Sequence, residues 1–211
     1  MREFDIQNIM VSFLAIVISL TVHEFAHAWT AHRLGDPTPG RHGRLTLNPV
    51  VLFRAHPFGA LLMPLLGAFS GFLIGWAATP VNPALVRRSI SRRKAEFLIS
   101  FAGPASNVLL GILSAVAFAF LAGLEGGALD PLAHLAHAMV FANVILAVFN
   151  LIPIPPLDGF TVLSSTFPRS PALPYLNQYG TLILLVIVIY GAEFFGPVLR
   201  LAQTGLRWLA S

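Results

Sequence analysis

Residues 9–27 read IMVSFLAIVISLTVHEFAH. The first part, IMVSFLAIVISLTV, is apolar and uncharged, and it predicts one long helix over residues 7–33 that ends at Gly35-Asp36-Pro37. The last five residues, His23-Glu24-Phe25-Ala26-His27, lie within that helix. Positions i and i+4 share a helix face, so both imidazoles can reach one metal ion. Glu24 lies about 100° further round, beside such a metal, where it can act on a bound water. A carboxylate at the centre of a transmembrane helix costs about 2.5–3.5 kcal/mol on insertion scales, so its presence calls for a functional reason.

Composition sets the environment. Of 211 residues, 56% are hydrophobic and 10% charged, against roughly 25% charged in soluble domains. This is the composition of a membrane protein. The net charge is +4, but the basic residues cluster at the ends of apolar runs, as topology signals do. That pattern argues against nucleic acid as a partner. Cysteine is absent, which excludes disulfides and thiolate ligands, so a metal must be held by His, Asp, Glu or water. The first apolar stretch follows Glu3 and Asp5 and itself carries the motif, unlike a cleavable signal peptide. A single membrane-embedded domain over 1–211 is expected, its core at about 7–165.

Residues 35–56 form a polar loop with Arg41, Arg44 and Arg54. Segment 57–79 is apolar but interrupted by Pro57, Gly59, Pro64, Gly67, Gly71 and Gly75, and a basic loop with Arg87, Arg88, Arg92, Arg93 and Lys94 follows. Further spans are expected at 96–122, 132–151 and about 178–199. The fold class is therefore all-α and multi-pass, with about four spanning helices plus a Gly/Pro-rich segment that either re-enters or spans. Both ends of 57–79 are basic. If both lie on one side, the segment must dip in and return, lining a wet cavity or buried in protein; the alternative is an ordinary Gly-rich span.

Two histidines need a third protein ligand to make a catalytic zinc site. Apart from Glu24, the acidic residues are Glu3, Asp5, Asp36, Glu96, Glu125, Asp130, Asp158 and Glu193. Asp158 stands out because it follows a helix end broken by Pro153, Pro155 and Pro156 and precedes Gly159. With the first helix running outside to inside, loop charges bring Asp158 to the leaflet that holds His23 and His27.

The chain resembles the site-2 protease family of intramembrane zinc metalloproteases, in a small form without an evident PDZ or CBS domain. The resemblance rests on HEFAH at 23–27, on Gly103-Pro104-Ala105-Ser106-Asn107, and on the stretch from Asn150 through Pro153 to Asp158-Gly159. Asn48-Pro49, Gly75-Trp76 and Pro80-Val81-Asn82-Pro83 add to it. It implies one Zn2+ per chain held by His23, His27 and Asp158, Glu24 as general base, and Asn150 facing the site, where an amide can steady an oxyanion. Asn107 either does likewise or, as we favour, bridges helices. His56 stands in Arg54-Ala55-His56-Pro57 where small relatives often read H-x-D-P; it either approaches the metal or is polar surface.

The expected function is hydrolysis of peptide bonds in or near the transmembrane helices of a membrane-protein substrate. Segment 57–83 is expected to receive the unwound strand by edge pairing. The lipid bilayer is the expected surroundings, specifically the cytoplasmic membrane of a prokaryote with the site nearer the cytoplasmic side; oligomeric state is left open. A membrane metal-ion transporter or a non-catalytic binder of membrane helices is the alternative reading.

Overall fold

A computed structural model of the chain describes residues 5–70, 77–124, 127 and 129–209, and these contain helices but no strand. Helix α1 (Ile6–Leu34) begins where the Asp5 carboxylate accepts from the amides of Gln7 and Asn8. It ends at Gly35, whose φ of 109° is open to glycine but not to most residues. Two short helices follow, α2 (Thr38–Arg41) and α3 (Pro49–Ala55). A π-type turn, Pro57–Leu62, then runs into α4 (Met63–Ser70). Helix α5 (Arg92–Ala122) is capped by Ser91, and α6 (Asp130–Asn150) returns beside it. A Pro-rich turn leads to α7 (Asp158–Thr166), then to α8 (Ala172–Ile189) and α9 (Gly191–Leu209).

Helices α1, α5, α6 and α8 are long and apolar enough to cross a membrane. The first three match the expected spans to within a few residues. The expected continuous span at 178–199 does not form: the helix breaks at Tyr190, and α9 packs against α5 and α6. Apart from Glu193, residues 182–199 are apolar, so an apolar profile alone does not register the break.

Small side chains set the packing of α1, α5 and α6. Ala15, Ser19, His23, His27 and Ala31 repeat every fourth residue along α1, and all are buried. On α5 the buried row is Ala95, Ile99, Gly103, Asn107 and Gly111; on α6 it includes Ala133, Ala136, Val140, Asn143 and Ala147. Such rows let membrane helices approach closely where hydrophobicity cannot drive them together. At their crossing, Ser19, Asn107 and Asn143 are fully buried. The Asn107 amide donates to Asn143 Oδ1 (2.8 Å) and to the Ser19 carbonyl (3.3 Å), while Asn143 Nδ2 donates to Ser19 Oγ (2.8 Å). Each such bond in a membrane contributes only about 0.6 kcal/mol on average. The lock therefore fixes rotation and register more than it adds stability.

Segment 57–79 begins and ends at one level. His56 Nε2 donates to the Ala78 carbonyl at 2.8 Å, and Thr79 reaches Glu24 of α1. Between these ends, α4 lies along α1, and Gly67 and Ala68 come beside Asn8 and Ser12. From Glu24 to Asn8 is about 24 Å of helix, so the segment travels far into the bundle before its ends meet. Residues 71–76, part of the segment 57–83 expected to receive substrate, lie outside the described residues.

This path predicts sidedness, and the lack of cysteine makes it easy to read. In sealed vesicles, Arg54→Cys and Arg88→Cys should react with a membrane-impermeant maleimide from the same side, and Leu129→Cys from the other. Opposite labelling of positions 54 and 88 would mean that segment 57–79 crosses.

Candidate metal centre

Helix α1 presents His23, Glu24 and His27 in its buried half, at 3%, 6% and 8% exposure. Helix α5 lies so close that a Cβ on Gly103 would collide with His27 Nε2 and come within 2.6 Å of His23 Cε1. Only a hydrogen fits there. Asp158 arrives from below the end of α6, through Pro153 and a cis Pro155–Pro156 bond, as the first residue of α7. Gly159 allows that crossing, because a Cβ on it would run into the carbonyls of Leu151 and Ile152.

These elements bring three side-chain atoms together. His23 Nε2 and His27 Nε2 are 3.0 Å apart, and Asp158 Oδ2 is 3.2 Å from each. The far side of each ring fixes its tautomer. Asn107 uses its amide group on Asn143 and Ser19, so it turns Oδ1 toward His23 and accepts from Nδ1 at 2.6 Å. The carbonyl of Ile99 accepts from His27 Nδ1 at 2.7 Å. With the protons on Nδ1, neutral imidazoles carry lone pairs on both Nε2 atoms.

Two lone pairs and a carboxylate oxygen thus face one another, and the buried Asp158 Oδ2 has no hydrogen-bond donor. This is a repulsive arrangement by itself and a fitting one around a shared cation. Tetrahedral zinc holds N and O donors at about 2.0–2.2 Å, which sets them about 3.3 Å apart. The observed separations and the donor set of two imidazoles and one carboxylate suit zinc, with a fourth position open. The ring-to-amide and ring-to-carbonyl bonds are the outer support that orients metal-binding histidines.

Glu24 is held separately. Its Oε2 accepts from Thr79 Oγ1 at 2.7 Å. It also borders a chamber of about 10 Å³ lined by Thr21, Arg44, Thr46, Asn48 and Thr79, roughly the room one water needs. Arg44 Nη1 is buried without a hydrogen-bond partner, so a positive charge shares that chamber with the Glu24 carboxylate.

The structure therefore gathers His23, His27 and Asp158, with Glu24 next in sequence to the first of them. It does not bring Asn150 to them by a hydrogen bond among the described residues; the Asn150 amide donates to Leu146 of its own helix (3.0 Å). Asn107 bridges three helices and in addition orients His23. His56 is spent on Ala78. Sequence reasoning missed Thr79, Arg44 and the Ile99 carbonyl. His134 and His137 line a different cavity with Asn8 and Ser12, and no second cluster of three metal-binding side chains occurs among the described residues.

Comparison with known proteins shows the family of this chain. The family described as Peptidase family M50 matches the chain over residues 11–128 and 127–190. "Putative zinc metalloprotease YwhC" of Bacillus subtilis is 31% identical over 210 residues, covering 94% of this chain and 90% of that protein. "Putative zinc metalloprotease Rip2" of Mycolicibacterium smegmatis is 34% identical over 183 residues, 82% of this chain and 64% of the relative. The Mycobacterium tuberculosis protein of the same name is 34% identical over 196 residues, 86% and 69% respectively. No solved structure matches the chain.

The outer support makes a testable prediction. Asn107→Ala, which strips His23 Nδ1 of its acceptor, should weaken zinc binding by about 10–100-fold in a chelator competition. Gly103→Ala should cost more, because its methyl group enters the space of both rings. Unchanged zinc affinity in both variants would dissociate these contacts from metal binding.

Proposed function

We propose how this chain, which belongs to peptidase family M50 and is a zinc metalloprotease of the membrane, carries out its reaction. His23, His27 and Asp158 hold one zinc, and Glu24 is the general base. What supports this most is the meeting of three acceptor atoms with no donor on Asp158 Oδ2. When bound, zinc supplies Lewis acidity at the open side of the triad.

The chain's own residues do the rest. Asn107 and the Ile99 carbonyl keep the protons on Nδ1, which leaves both Nε2 atoms as ligands. Glu24 takes a proton from the attacking water on its carboxylate as the C–O bond forms. It returns that proton to the leaving nitrogen as the C–N bond breaks, giving a carboxylic acid and an amine. Burial of His23, Glu24 and His27 keeps bulk water from the reacting atoms.

The substrate class we propose is a membrane protein cut within or beside its transmembrane helix. Such a helix hides its amides in its own hydrogen bonds and must unwind before attack, and segment 57–83 is the candidate receiver. Asn150 remains a candidate for steadying the carbonyl, which would require its amide to leave Leu146 when substrate binds. The basic residues Arg87, Arg88, Arg92, Arg93 and Lys94 flank the start of α5, and we place the site on their side, the cytoplasmic one, by the positive-inside rule. Metal-ion transport is not favoured: it has no use for a carboxylate between two ligands, and the family is one of peptidases.

In detergent-purified protein, wild type and Glu24→Gln should each carry about one zinc per chain, and Asp158→Ala much less. Cleavage of a transmembrane substrate in proteoliposomes should fall by about 10²–10⁴-fold in Glu24→Gln, the usual contribution of a general base. Zinc retained in Asp158→Ala would remove the third ligand from this scheme, and full activity in Glu24→Gln would remove the base.

A further inference from the structure

The return limb of segment 57–79 is anchored on both sides of Thr79. Just before it, the Ala78 carbonyl accepts from His56 Nε2 at 2.8 Å. Just after it, the amide of Asn82 donates to Asp36 Oδ2 at 2.6 Å. Asp36 is fully buried, and its other oxygen accepts from the Thr38 amide at 2.9 Å. A buried carboxylate held by two backbone amides is a rigid post, since charge-assisted bonds are short and roughly twice as strong as neutral ones. Asn82 in turn accepts from Ala84, fixing the turn beyond.

Between these anchors, Thr79 Oγ1 stands 2.7 Å from Glu24 Oε2 and 3.2 Å from the Glu24 carbonyl. A hydroxyl has one proton to donate. The shorter contact, to a charged acceptor, takes it. That bond occupies one carboxylate oxygen and leaves the other free. Glutamate has three side-chain torsions, and a base must stay within hydrogen-bond reach of the proton it takes. Among the described residues, no other group donates a hydrogen bond to this carboxylate.

We propose that Thr79 is the positioning residue for Glu24: its hydroxyl fixes the carboxylate by Oε2 so that Oε1 faces the reacting water. This rests on Glu24 being the base. It also gives Asp36 and His56 a purpose, as the anchors that carry Thr79 to its place. Strand pairing in segment 57–83 would use the Thr79 backbone, whereas the hydroxyl is spent on Glu24, so loss of the hydroxyl should reach the rate of the chemical step more than binding.

Two near-isosteric variants separate the hydroxyl from the methyl group. Thr79→Val keeps the shape and removes the donor; Thr79→Ser keeps the donor and removes the methyl group. With transmembrane substrate in proteoliposomes, Thr79→Val should lower kcat by about 10–100-fold, the scale expected when a reacting group drifts by about 1 Å. KM should change less than about twofold, and zinc per chain should match wild type. Thr79→Ser should recover most of kcat. Wild-type kcat in Thr79→Val, equal losses in both variants, or zinc lost from Thr79→Val would each overturn the proposal. Glu24→Gln, run alongside, tells the two levels apart. If it is inactive while Thr79→Val is normal, the base stands and its positioning by Thr79 falls; if it is active, both fall.

Discussion

The side chain of Asn107 connects the fold to the chemistry. Its NH2 group is committed to α6 and to the backbone of α1, which turns its oxygen to accept a hydrogen bond from His23 Nδ1. Helix register and imidazole tautomer are thus one constraint. A shift of α5 along α1 by a single turn would bring the side chain of Ile99 or of Asn107 where a hydrogen of Gly103 now sits, and the His23 ring would lose its acceptor as well. The four-residue repeat of Ala95, Ile99, Gly103, Asn107 and Gly111 against Ala15, Ser19, His23, His27 and Ala31 is what selects this register. Since each polar bond contributes little stability in a membrane, their value here lies in geometry.

The site divides into a rigid part and a part borne by loops. His23, His27 and their supports sit on two long helices, so they are placed by packing. Asp158 depends on a Pro-rich turn and a glycine crossing, and Glu24 leans on a limb of the segment that leaves and rejoins α1. The proposed ligands and the proposed base are therefore supported by different elements, although His23 and Glu24 are neighbours in sequence. The buried Arg44 nitrogen belongs to the loop side, in the chamber that Glu24 also lines.

What was legible in the sequence was what is local or periodic. His23 and His27 declare themselves through helix geometry. Asp158 could be singled out because prolines and loop charges limit where the chain goes after α6. The meeting of His56 with Ala78 agrees with the charge argument for a segment that turns back. Thr79 was not legible: nothing in its neighbourhood marks it, and its role follows from the path of a limb pinned by Asp36, a residue of another loop. Nor was the turn of the Asn150 amide onto Leu146, which is decided by a rotamer. The break at Tyr190 escaped because, apart from Glu193, the apolar run continues past it to Leu199 before α9 becomes amphipathic with Arg200 and Arg207.

Beyond the polar crossing of Ser19, Asn107 and Asn143, toward the start of α1, the bundle is closed by Ala15, Ile16 and Ala142, with Leu135, Ala138 and Met139 packed on them. Hydrolysis consumes water, yet a membrane that hosts it must also stay an electrical insulator. The cluster that backs the site offers no polar side chain to carry water or protons on toward the start of α1.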